Sequence, residues 1–73
     1  MNRIYIIDGE NETFRTLHAA KHHVYIAYTK DERIKYLLNT SIVCIANDEA
    51  ISETPIIIDE QGNYAFGKTV KTK

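Results

Sequence analysis

A chain of 73 residues has room for one small domain, over residues 1–73, and folding at that size buries only about 60% of the surface exposed by the unfolded chain. Nine Lys and Arg against ten Asp and Glu leave a formal charge of −1, which gives no global field towards nucleic acid or anionic lipid and excludes an acidic mimic of DNA. The single cysteine, Cys44, excludes an internal disulfide; its place in the apolar run IVCIA marks a small buried hydrophobe and an expected reducing, cytoplasmic setting.

The chain begins with a four-residue apolar run, IYII, before Asp8, far shorter than a signal sequence or a membrane span, so no membrane partner is expected. Arg3 to Ile7 reads as the first strand, and Asp8-Gly9 with the polar ENET supplies the break. The stretch Thr16 to Tyr28 then places Leu17, Ala20, Val24, Ala27 and Tyr28 in one stripe about 100° wide at helical spacing. Thr16 is its N-cap, a hydroxyl that accepts one of the orphan amide protons. The rival reading ends the helix near His23 and makes HVYIAYT a strand, since Val, Tyr, Ile and Thr favour strands.

Thr29-Lys30-Asp31-Glu32 fits the reciprocal capping box and opens a second helix over Lys30 to Leu38. Its Ile34, Leu37 and Leu38 share a face, Arg33 and Lys35 point elsewhere, and Asn39 is a left-handed stop. From Ser41 the pattern becomes β-branched: SIVCIA is the second strand, Asn47-Asp48-Glu49 a turn, and Ala50 to Ile58 the third strand. Pro55, lacking an amide, marks an edge or a bulge there. Asp59 to Gly62 forms a short hairpin loop with Gly62 left-handed. A fourth strand from Asn63 to Val70 puts Tyr64, Phe66 and Val70 on one face. The expected fold is α+β, in the order β-α-α-β-β-β, with two short helices on one face of a mainly antiparallel four-stranded sheet.

Three of these strands do not alternate. With Ile4, Ile6, Ile42, Cys44, Ile56 and Ile58 towards the helices, Tyr5, Ile7, Val43, Ile45 and Ile57 face the other way, and a sheet face left in water should be polar. Each such side chain contributes about 1.5–3 kcal/mol when buried. Curling of the sheet, a second copy of the chain or a foreign protein can provide the cover, and Tyr5, Ile7, Val43, Ile45 and Ile57 form the expected interaction face.

The string Gly62 to Thr69 matches G-x-x-x-x-G-K-[ST], the phosphate-binding loop pattern. That motif works by wrapping backbone amides round phosphates and opening a helix, whereas Asn63 to Phe66 alternates like a strand and only Val-Lys-Thr-Lys follows; no nucleotide partner is expected. His18 and His22 stand at i and i+4 with His23 beside them, but zinc sites use three or four ligands and neither HExxH nor CxxC occurs, so no metal is expected. Cys44, Ser41, Ser52 and the histidines form no oriented nucleophile arrangement, and Asp48-Glu49 and Asp59-Glu60 sit in turns. The expectation is a non-enzymatic protein without a cofactor that acts through a homodimer or a protein partner, an accessory or inhibitory factor. The alternative is a nucleic-acid-binding module in which Tyr64 and Phe66 stack bases beside the tail Lys68, Lys71 and Lys73.

Overall fold

The computed structural model describes residues 2–72. It is an α+β fold of two helices on one face of an antiparallel sheet. The elements are β1 (Arg3–Ile7), β2 (Thr13–Phe14), α1 (Leu17–Ile26), α2 (Lys30–Tyr36), β3 (Ser41–Ala46), β4 (Glu49–Ile58), β5 (Tyr64–Phe66) and β6 (Val70–Lys71). The strand order is β2-β1-β3-β4-β5, with β6 also paired to β4. The two strands beyond the expected four are pieces only two residues long.

Local signals place the ends of the helices. The Thr16 hydroxyl accepts from the Ala19 amide at 3.0 Å, which satisfies an amide that has no partner within the helix. The Thr29 hydroxyl accepts from the Glu32 amide at 3.2 Å while Glu32 Oε1 accepts from the Thr29 amide at 2.9 Å, the reciprocal box expected for TKDE. Asn39 takes a φ of +59° beyond α2, and the Thr40 hydroxyl donates to the Leu37 carbonyl at 2.7 Å. The two-residue turn Asn47-Asp48, with φ of +53° and +63°, joins β3 to β4; left-handed values at both positions suit the twist of the flanking strands.

The core joins Ile7, Ile42 and Ile56 of the sheet to Ala20 and Val24 of α1 and to Leu37 at the end of α2. The register departs from the sequence reading at β1. Tyr5 pairs with Cys44 and Ile7 with Ile42, and antiparallel partners share a face, so Tyr5 and Ile7 lie under the helices and Ile7 is fully buried. Ile4 and Ile6, opposite Ile45 and Val43, take the outer face. Because RIYII is apolar at both parities, its alternation could not choose between the two; pairing with β3, where Ile42, Cys44 and Ala46 are buried, does. The Cys44 thiol at the Tyr5 hydroxyl, aided by burial, pushes the Tyr5 phenol above its ordinary pKa.

The expected fourth strand is broken. Phe66 pairs with Ile56, but Val70 pairs with Glu53, one residue further along than continuous pairing allows. The extra residue falls between Gly67 and Thr69, opposite Pro55 and Thr54. A one-residue insertion inverts the alternation of everything after it. Val70 therefore sits with Glu53 on the outer face, not with Tyr64 and Phe66. The string Gly62 to Thr69 thus runs as the end of a turn, β5 and this bulge, and the residues after it enter β6.

Candidate functional site

Arg33 is a further residue whose place sequence patterning does not give. It was expected to point away from the fold, yet it is only 7% exposed. Its Nε donates to the Val24 carbonyl at 3.2 Å, its Nη2 to the Tyr25 carbonyl at 3.0 Å and its Nη1 to the Gly62 carbonyl at 3.0 Å. Val24 and Tyr25 belong to the last turn of α1, whose carbonyls have no intrahelical partner, and a cation there also complements the helix dipole. Arg33 and Leu37 stand four apart and so share the buried face of α2; Leu38, expected in the core, is exposed. Apolar patterning carries no signal for a guanidinium whose acceptors lie on other elements.

Gly62 makes this junction possible. Its φ is +83°, and a Cβ there would overlap the Lys30 carbonyl oxygen. Asp59 fixes the loop from the other side: Oδ1 accepts from the Gln61 and Asn63 amides at 2.8 and 2.9 Å, and Oδ2 from Asn63 Nδ2 at 3.0 Å. Those bonds, led by the Asn63 side chain, hold the Asp59 carboxyl below its ordinary value. The guanidinium carbon of Arg33 then lies 4.8 Å from the Tyr64 ring centroid, setting the start of β5 against the helices.

On the helical side, Tyr64 contacts Tyr25 at 6.1 Å between ring centroids and Phe66 at 5.7 Å. Lys21 Nζ stands 5.1 Å from the Phe66 ring, and His18 and His22 stack at 6.5 Å. These six side chains line a cleft of about 260 Å³. Tyr64 and Phe66 are thus together, as the nucleic-acid alternative required, but Lys71 is not with them. It pairs with Ser52, four residues along β4 from the partner of Phe66, about 13 Å away at 3.3 Å per residue. There it lines a separate groove of about 450 Å³ with Arg3, Glu49, Ser52 and Thr69. Lys68 is exposed at the bulge, and Lys73 lies outside the described residues.

The outer face of the sheet holds Ile4, Ile6, Val43 and Ile45 as two adjacent cross-strand rows, Ile4 beside Ile45 and Ile6 beside Val43. Ile4 is 39% exposed, and Ile57 and Val70, further out on the same face, are 53% and 58% exposed. Of the expected interaction face, then, Val43, Ile45 and Ile57 lie on this side, while Tyr5 and Ile7 are exchanged for Ile4 and Ile6. His23 is set apart from His18 and His22: its Nδ1 lies 3.2 Å from Glu12 Oε2, and its ring meets Phe14 at 4.9 Å. Among the described residues no three His, Cys, Asp or Glu side chains gather as a metal would require, Cys44 is buried without a disulfide, and no helix is long and apolar enough to cross a membrane.

Fold and surfaces together define a small α+β protein with one apolar sheet face only partly covered, Ile6, Val43 and Ile45 being half-buried and Ile4, Ile57 and Val70 exposed, and an aromatic, basic cleft on the helical side. Set against known protein families, curated proteins and solved structures, the chain matches none of them.

Proposed function

We propose that this is a non-enzymatic binding protein that acts by protein contact, with a second copy of the chain or a protein partner seated on the outer face of its sheet. The supporting observation is the block Ile4, Ile6, Val43 and Ile45 in two contiguous rows, with Ile4 already 39% exposed in the single chain. Full burial of one such side chain contributes about 1.5–3 kcal/mol; Ile6, Val43 and Ile45 are already half-buried, so completing the four adds a fraction of that for each, against a total stability of roughly 4–11 kcal/mol for a chain of this length. With β2 only two residues long and β5 three, the strands make a face of roughly 440 Å² at about 3.3 Å per residue and about 4.8 Å between strands. Two such faces in contact cover about 900 Å² at most, the size of a weak or transient contact. A self-complementary apolar block needs no opposite charge on its partner, so the second copy is the occupant to test first.

The test is sedimentation velocity across a wide concentration range with and without 1 M salt. A dimer that persists in salt, and that Ile4→Glu converts to a folded monomer, is the expected result. A monomer at every concentration, indistinguishable from its Ile4→Glu variant, would sink the self-association reading.

A further inference from the structure

The charge balance of the whole chain conceals a segregation. Residues 15–36, which form the two helices and their joints, contain five Lys and Arg against two Asp and Glu, a formal +3; the other 51 residues contain four against eight, a formal −4. α1 itself, LHAAKHHVYI, has no acidic residue. The aromatic cleft opens beside α1 and has no acidic side chain in its lining; it lies on the opposite side of the sheet from the block proposed for protein contact, so occupying one leaves the other accessible.

Ring surface and positive charge coincide at the cleft. Tyr25 is 57% exposed and leans on Tyr64, which Arg33 holds from beneath at 4.8 Å. Phe66 closes the wall, and the Lys21 ammonium stands at the mouth. A volume of about 260 Å³ lies below the roughly 300–1,000 Å³ of pockets that enclose drug-sized ligands, which suits one planar ring rather than a whole large molecule. Aromatic side chains accept the π-face of any base, and cations beside them meet the adjoining phosphates. We infer that the cleft between α1 and β5 binds single-stranded nucleic acid, one base stacking on Tyr25 and Tyr64 while Lys21, with His18 and His22 at the rim, meets the backbone phosphates. Lys21, a residue of α1, takes the part that the sequence alone gives to Lys68 and Lys71.

Fluorescence anisotropy tests this with a labelled oligothymidylate of about twelve nucleotides, a length that spans a site of this kind, and with an abasic strand of equal length as a second probe. Binding to oligothymidylate should weaken with rising salt. Tyr25→Ala, at an exposed ring, should weaken it by about tenfold, the loss expected for one stacked base, and leave the abasic strand unaffected. Lys21→Ala should weaken both and make the log–log salt slope shallower by about 0.7, the share of one single-strand phosphate. Lys71→Ala, in the other groove, should change neither. The assignment is overturned by an absence of salt-sensitive binding, by Tyr25→Ala binding like the parent, by a larger loss in Lys71→Ala than in Lys21→Ala, or by polyglutamate of similar length binding as tightly as the strand.

Discussion

Arg33 has no carboxylate paired with it among the described residues; its charge is spread over three backbone carbonyls and the face of Tyr64. The planar fork is what lets one side chain reach acceptors on α1 and on the loop after β4. Removing it leaves those carbonyls buried without donors, and charged hydrogen bonds of this kind are each worth about 1.5–3 kcal/mol. Arg33→Ala should therefore lower stability by about 3 kcal/mol in urea unfolding, and Arg33→Lys should recover less than half of that, because an ammonium cannot span three separated acceptors. A lysine variant as stable as the parent would show that the charge alone matters. Nothing in the run KDERIKY distinguishes Arg33 from Lys35 except that Arg33 stands four residues before Leu37, and that spacing acquires meaning only once Leu37 is known to be buried.

At the scale of the element, those features that depend on neighbours in sequence were legible. The hydroxyl of Thr16 and the Thr29–Glu32 box bond within three residues of themselves, so their chemistry is written locally. So are the left-handed residues Asn39 and Gly62. The loop from Asp59 to Asn63 belongs to the same class, and it has a pH signature. Its carboxylate is held below the ordinary Asp value by the Asn63 and Gln61 donors, so it contributes stability above the unfolded-state pKa and loses that contribution as pH falls through the lower folded-state value. Unfolding midpoints of the parent should drop on going from about pH 5 to about pH 2, and Asp59→Asn, which does not titrate, should flatten part of that fall. Superimposable acid limbs for the two proteins would mean that the loop bonds do not favour the charged form. β2, β6 and the bulge at Gly67 to Thr69 were not legible, because each is defined by what lies opposite on β1 or β4.

For the whole molecule, the exchange of Tyr5 and Ile7 for Ile4 and Ile6 leaves the amount of apolar surface on the outer face much as before while changing which residues supply it. If a second copy covers that face, folding and association are linked, and the apparent melting temperature must depend on protein concentration. Differential scanning calorimetry should give a midpoint that rises by several degrees between dilute and concentrated samples, with Ile4→Glu showing no such rise. A parent midpoint independent of concentration would separate folding from self-association. The division of charge belongs to this scale too: a net charge of −1 conceals a helical segment, residues 15–36, that carries a formal +3 within it.

The order of the main elements, the two helix starts, the left-handed residues Asn39 and Gly62 and the α+β class were determined by the sequence alone, since propensity, capping and turn chemistry act over three or four residues. The facing of β1, the burial of Arg33, the inversion of Val70 and the meeting of Lys21 with Tyr64 and Phe66 were decided only by the tertiary structure. Each depends on partners that belong to other elements of the fold, and a strand that is apolar on both sides, or a cation whose acceptors are backbone carbonyls, presents no local preference that could have chosen in advance.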